Sequence, residues 1–145
     1  MNTINYFFED IKSYKHQLPK KTWIQQCLKK EKQTVGCINF IFCSDLYLQK
    51  INKEYLKKSN FTDVIAFQFQ QPSFTYNNKK KLVFGDVFIS IERVKENKKI
   101  YKTIFSKEIQ RVMVHGVLHL IGYKDKTKKE KAIMTVKENL YLNLI

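Results

Sequence analysis

The sequence predicts one α+β domain, residues 1–145, in which helices cover a mixed four-stranded sheet. Segments with strand-like and helix-like patterns alternate along the chain, with no repeat and no linker that would divide it. A length of 145 residues with 43% hydrophobic content is enough for one core without disulfides. Eleven Phe, eight Tyr and Trp23 add large side chains for burial.

The first half of the chain predicts two strands and two helices. Residues that favour a strand make up Ile4–Phe8, and apolar residues with helical spacing follow over Lys20–Lys30. β-Branched and aromatic residues dominate Val35–Cys43, which predicts the second strand. Ser44 then suits the N-cap of a helix that continues to Tyr55.

The next part of the chain predicts two further strands separated by a loop. Thr62–Phe69 and Leu82–Ser90 have strand patterns. Gln70–Lys81 contains a proline, two asparagines and a lysine run, so it predicts a polar loop. From Glu92 onward the pattern becomes helical.

Two helices are predicted at the C-terminal end. Ser106 is a candidate N-cap for the first, and Glu108 in its first turn complements the helix dipole. This helix is apolar nearly all round, so we expect it to be central and almost wholly buried. Thr127 begins the last helix, because Thr127 and Glu130 match the capping box.

The central helix and the turn after it contain a metal-ligand spacing. His115 and His119 stand four residues apart, so their imidazoles project from the same helix face. Gly122 can adopt the left-handed conformation that ends a helix and reverses the chain, which would bring Asp125 to the histidine pair. A histidine on an apolar face is more often a hydrogen-bonded core residue, but the glycine and the acid in register favour a metal site.

Three protein ligands would leave the fourth position of a zinc ion open. An open position is typical of catalytic zinc, whereas structural zinc has four protein ligands. His16 is the only other histidine, and its polar surroundings indicate ordinary surface placement.

Charge and cysteine content indicate the surroundings of the protein. The formal net charge of +14 is compatible with an RNA partner, but only Arg93 and Arg111 among 27 basic residues are arginine. Scarcity of residues with GC-rich codons points to an AT-rich genome as one source of the lysines.

Three cysteines without a CxxC pair predict buried free thiols and a reducing, cytoplasmic location. No apolar run is long enough for a membrane span, and the first ten residues lack an export leader, so we expect no membrane association.

The segment His115–Tyr123, with the pattern HGxLHLxGY, resembles the YbeY-type rRNA maturation factors. Thr62–Phe67 and Gly85–Ser90 support the resemblance, and the N-terminal third matches least. The resemblance implies an α/β fold, one zinc ion and cleavage of single-stranded RNA. It further implies maturation of the 3′ end of 16S rRNA and contact with the small ribosomal subunit, whose proteins are possible partners. We expect no DNA partner.

The chain departs from the family pattern at two positions. Asp125 stands where relatives commonly have a third histidine, and a carboxylate is a legitimate zinc ligand. Leu56 stands where many relatives carry an arginine that is thought to assist catalysis. Either Lys57 or Lys58 takes over the contact to phosphate, or turnover is weak, or both lysines are merely solvated.

Two other functions fit part of the pattern. A metzincin-like metalloprotease has a similar ligand spacing, but Gly116 occupies the position of the glutamate that serves as its general base. A ribosome-assembly factor that binds RNA without cutting it would use zinc only for structure, and three ligands argue against that. The sequence does not identify a general base for RNA cleavage.

Overall fold

The computed structural model describes residues 3–57, 62–69, 76–77 and 80–145. Its strands are Thr3–Phe8 (β1), Gln33–Cys43 (β2), Val64–Gln68 (β3), Tyr76–Asn77 (β4) and Lys80–Ser90 (β5). Four of them form a sheet in the order β1, β2, β5, β3, and the short β4 pairs with β5. β1, β2 and β5 run parallel, whereas β3 and β4 run antiparallel to β5. The predicted mixed four-stranded sheet is confirmed.

The α-helices of the described ranges are Lys21–Lys30 (α1), Asp45–Leu56 (α2), Ile91–Ile100 (α3), Phe105–Leu120 (α4) and Lys128–Leu142 (α5). The Ser44 hydroxyl caps α2 by accepting from the Tyr47 amide, and Thr127 and Glu130 form the predicted capping box of α5. None of these helices combines the length and apolar character needed to cross a bilayer.

Two sequence predictions of local structure are wrong. Ser106 lies inside α4 and does not cap it, because the helix begins at Phe105, whose ring packs against Tyr14 with centroids 5.5 Å apart. The predicted polar loop Gln70–Lys81 includes β4 and the start of β5, which pair with each other. Residues 70–75 and 78–79 of that loop lie outside the described residues.

The two faces of the sheet are covered unequally. Apolar side chains from α1, α3, α4 and α5 form the main core with one face, and α2 forms a smaller cluster with the other. Within α4 only Lys107 is exposed, so the predicted central, buried helix is confirmed. Gly116 permits its close approach, since a Cβ there would lie 2.5 Å from Val87 Cγ1 on β5.

Candidate metal centre

A glycine turn ends α4 and reverses the chain. The Gly122 amide donates to the His119 carbonyl at 3.1 Å, and the Tyr123 amide donates to the Leu118 carbonyl at 3.0 Å. This pair of bonds is the Schellman arrangement, which requires a left-handed residue at the glycine position. Gly122 meets the requirement with φ of 106°. The turn carries Asp125 back over the helix end, as the sequence predicts.

The structure brings the three predicted ligands together. His115 Nε2 and His119 Nε2 lie 3.0 Å apart. Asp125 Oδ2 lies 3.1 Å from His115 Nε2 and 3.3 Å from His119 Nε2. Ligand atoms about 2.0 to 2.1 Å from a tetrahedral zinc ion stand roughly 3.3 Å from one another. The three groups could therefore hold one metal ion without rearrangement.

Hydrogen bonds fix which nitrogen of each imidazole is free. His115 Nδ1 lies 2.5 Å from Glu138 Oε2, and His119 Nδ1 lies 2.9 Å from the Tyr123 carbonyl oxygen. Both partners accept, so each Nδ1 carries the proton and each Nε2 presents a lone pair. Two nitrogen lone pairs and a carboxylate oxygen then point at a common centre, an arrangement that a cation stabilises.

A buried ionic chain supports His115 from behind. Glu138 on α5 is 5% exposed and Glu108 on α4 is 1% exposed. Arg111 bridges them, with Nε donating to Glu108 Oε1 at 3.0 Å and Nη1 to Glu138 Oε1 at 3.3 Å. Two carboxylates and one guanidinium leave one uncompensated negative charge beside His115. That charge favours a cation at the histidines.

The same charges act on the imidazole of His115. Burial lowers the pKa of His115, but the hydrogen bond to Glu138 and the charge of Glu138 outweigh it. The charges of Asp63 and Asp125 add to this effect, and the pKa of His115 is raised above its ordinary value. The surroundings of this ring thus favour positive charge.

A second polar cluster holds the turn that supports His119. Glu31 accepts from the Tyr123 hydroxyl at 2.6 Å, from Lys137 Nζ at 2.9 Å and from the Tyr141 hydroxyl. Burial alone would raise the pKa of Glu31. The three hydrogen bonds together outweigh burial, so the pKa of Glu31 is below its ordinary value. Because the Tyr123 carbonyl accepts from His119, Glu31 anchors the residue that orients the second histidine.

The histidines open into a cleft of about 520 Å³ beside β3, the edge strand of the sheet in the described residues. Leu56, at the end of α2, lines the opposite wall and is 43% exposed. Lys57 follows in a left-handed conformation and is exposed, whereas Lys58 lies outside the described residues. Lys124 and Asp63 also line the cleft, and sequence reasoning gave neither a role.

Sequence reasoning also missed Glu138, Arg111 and the true place of Glu108. Glu108 does lie in the first turn of α4, but it is buried and ion-paired to Arg111 rather than facing solvent. A signal was present, since an acid and one of only two arginines stand three apart on a helix that is otherwise apolar. Glu138 is 23 residues from His115, too far for a spacing argument.

The chain is similar to known endoribonucleases over nearly its whole length. The family profile described as Endoribonuclease YbeY matches residues 7–145. A protein named endoribonuclease YbeY from Karelsulcia muelleri is 44% identical over 96% of this chain and 93% of its own. The protein of that name from Cytophaga hutchinsonii is 41% identical over 98% of this chain and 95% of its own. A solution structure of a Thermotoga maritima protein has a TM-score of 0.63 and 25% identity, and covers 97% of this chain and 87% of that one.

Proposed function

This chain belongs to the YbeY family of endoribonucleases, and we propose that it is a zinc-dependent enzyme specific for single-stranded RNA. In this proposal it matures the 3′ end of 16S rRNA in the cytoplasm, together with proteins of the small ribosomal subunit. The observation that carries the zinc dependence is the convergence of His115, His119 and Asp125 in one open cleft. Two imidazoles and a carboxylate form a donor set typical of catalytic zinc.

The residues of the chain divide the work of the proposed site. His115, His119 and Asp125 would hold the ion, while Glu138 and the Tyr123 carbonyl fix the orientation of the two imidazoles. When bound, zinc would lower the pKa of a water molecule to about 7 and polarise a phosphate oxygen. The three ligands would leave one position open for these roles, which a closed structural site would not.

In this proposal, lysine side chains contact the phosphates of the RNA backbone. Leu56 stands on the wall where relatives carry an arginine, and its side chain offers no charge to a phosphate. Lys124 on the cleft wall and Lys57 beside it supply positive charge as point contacts. The 16S rRNA substrate itself is supported by the family resemblance, and the three free cysteines support a reducing compartment.

A metzincin-like protease needs a glutamate as general base, and this chain has no glutamate at that position. Gly116 occupies that position, and a Cβ there would lie 2.5 Å from Val87 Cγ1. A glutamate side chain would force the helix away from β5. The assembly-factor alternative differs from our proposal in one outcome, because it predicts RNA binding without cleavage.

Metal analysis paired with RNase assays tests the proposal. Purified protein should contain one zinc per chain and cut a single-stranded RNA that spans the 3′ end of the 16S precursor. His115→Ala and His119→Ala proteins should be folded, lack zinc and lose cleavage. His16→Ala is the matched control, since His16 is exposed and lies in the short 3₁₀ helix Lys15–Gln17, apart from the site.

Three outcomes would contradict the proposal. Folded, zinc-loaded protein that cuts no RNA, even with ribosomal substrate and small-subunit proteins present, would favour the assembly factor. Cleavage of peptides would favour the protease. Cleavage that persists in both histidine variants would identify a contaminating nuclease. The product ends then report the nucleophile, since water leaves a 3′-hydroxyl or 3′-phosphate and the ribose 2′-hydroxyl leaves a cyclic phosphate.

A further inference from the structure

A second hollow lies on the other face of the sheet from the histidines. Its volume is about 450 Å³, and it is formed by α2 together with β3 and β5. Its lining residues are Tyr47, Ile51, Tyr55, Phe67, Asp86 and Phe88. Asp86 and Phe88 belong to the Gly85–Ser90 segment that supports the family resemblance, yet neither reaches the metal centre. The hollow is therefore a feature that the cleavage site leaves unexplained.

The hollow and the cleft share the same two elements. On α2, Leu56 lines the cleft and its neighbour Tyr55 lines the hollow. On β3, Ala66 lines the cleft and its neighbour Phe67 lines the hollow, because successive strand residues point to opposite faces. Among the described residues β3 is the edge strand of the four-strand sheet, so the cleft and the hollow lie on the two faces of the same sheet edge.

The rings in the hollow are arranged to receive another planar group. Tyr55 and Phe67 meet edge to face with centroids 5.8 Å apart, as do Phe67 and Phe88. Rings that meet in this way do not cover both faces of one another. Tyr55 is 66% exposed, so its ring is accessible to a partner from solution. An accessible aromatic ring beside an RNA cleft is typical of a base-stacking platform.

Asp86, the acidic residue in the hollow, favours a nucleobase over a phosphate as the occupant. Asp86 Oδ1 accepts from Asn39 Nδ2 at 2.9 Å, and Asn39 in turn accepts from Asn5 Nδ2 at 2.9 Å. Within the described residues this leaves Asp86 Oδ2 to accept from a donor in the hollow. A carboxylate repels phosphate and accepts hydrogen bonds from the exocyclic amino groups of adenine, cytosine and guanine. Uracil has no exocyclic amino group, and its one base-edge donor, N3–H, lies between two carbonyl oxygens that the carboxylate repels.

We propose that the hollow binds one nucleobase of the single-stranded RNA substrate, stacked on Tyr55 and hydrogen-bonded through an amino group to Asp86. The proposal rests on the RNA-cleaving activity of the family and is independent of which metal serves the cleft. The base would belong to a nucleotide that flanks the one being cut, because the hollow lies around the strand edge from the histidines. The enzyme would thus prefer a base with an exocyclic amino group over uracil near its cleavage site.

Binding measurements without cleavage test this subsite separately from the nuclease. The probes are fluorescein-labelled 2′-O-methyl oligonucleotides of adenosine, cytidine or uridine, titrated at several salt concentrations with a chelator present, so that neither the ribose 2′-hydroxyl nor a metal-activated water can cleave them. Tyr55→Leu should weaken binding of the adenosine and cytidine probes by roughly 5- to 50-fold, the usual effect of removing one base-stacking ring. Tyr55→Phe should retain affinity. The salt slope should not change, because no phosphate contact is removed.

The base preference supplies a second, independent readout. Asp86→Asn should reduce the preference for adenosine over uridine by roughly 10-fold, because an amide offers both a donor and an acceptor. Leu46→Ala is the control for general effects on α2, since Leu46 is 71% exposed and lies outside the hollow.

The outcomes that overturn the proposal are separate from failure of the metal site. Wild-type affinity in Tyr55→Leu would show that no base stacks there, whether or not the protein cuts RNA. A change of sedimentation behaviour in Tyr55→Leu with unchanged RNA affinity would assign the hollow to self-association. Equal weakening by Leu46→Ala would show that α2 had only been destabilised.

Discussion

The two walls of the cleft differ in how firmly their residues are held. On the metal wall, His115 and His119 lie on a buried helix, and each imidazole has a fixed hydrogen-bond partner. On the α2 wall, Leu56 is 43% exposed and Lys57 is exposed. The histidines proposed to bind the metal are therefore held in one orientation before a metal binds. The exposed residues proposed to contact RNA can change side-chain conformation when RNA binds. The adaptable wall also carries Leu56, at the position where the family resemblance implies an arginine.

The largest expected effect is the loss of zinc affinity when Asp125, the proposed ligand after the glycine turn, is replaced. Asp125→Ala removes one of three donors, so zinc affinity should fall by more than the roughly 10- to 100-fold typical of outer-shell changes. Asp125→His should keep the ion, because imidazole is an equivalent donor. Competition with a chromogenic chelator measures both variants. One zinc ion per chain in Asp125→Ala protein would contradict the assignment of Asp125 as a zinc ligand.

The next effect tests the support behind the metal wall. Glu138→Gln replaces the charged acceptor of His115 and breaks the ion pair with Arg111, so zinc affinity should fall by roughly 10- to 100-fold. Chelator competition again reports the change, with the exposed Glu54→Gln as control. If both variants bind zinc as tightly as the wild type, the ionic chain only stabilises the fold.

Restoring a charge to the α2 wall should have a smaller, positive effect. Leu56→Arg places a guanidinium on the cleft wall, and we expect the cleavage rate at saturating RNA to rise about 10-fold. Leu46→Arg adds the same charge elsewhere on α2 and should leave that rate unchanged. Equal rates for the wild type and both variants would mean that this wall does not approach the reacting phosphate.

Removing the neighbouring lysines should weaken RNA binding modestly. Replacing Lys57 and Lys58 by alanine removes up to two interactions with phosphate, and the removal of each should flatten the slope of log affinity against log salt by about 0.7. Filter binding of single-stranded RNA over a salt series measures the slope. An unchanged slope would assign both lysines to the solvated surface.

The smallest effect concerns the Glu31 cluster. The pKa of Glu31 is lowered in the folded protein, so its stabilisation is present above its ordinary pKa and is lost as pH falls through the lowered value. Glu31→Gln should reduce the free energy of unfolding at neutral pH by about 1 to 3 kcal/mol. Urea unfolding at neutral and at acidic pH measures this. A deficit that stays constant down to the acid limit would contradict the assigned role.

Sequence reasoning groups the three candidate ligands because they are local in the chain, and misses their supports because those are distant. His115, His119, Gly122 and Asp125 span eleven residues, so helix periodicity and one turn suffice to bring them together. Tyr123 and its anchor Glu31 are 92 residues apart, and their contact depends on how α1, β2 and α5 pack. The same holds for the hollow, since Tyr55, Phe67 and Asp86 meet only once the sheet order is known.

The central claim is that the two histidines and Asp125 bind one zinc ion through Nε2, Nε2 and a carboxylate oxygen. Crystals of the protein grown with zinc, measured at the zinc absorption edge, test it most directly. We predict one anomalous peak per chain, about 2.0 to 2.2 Å from these three atoms, with a non-protein ligand in the fourth position. A peak bound elsewhere, or bound with a fourth protein ligand, would contradict the account.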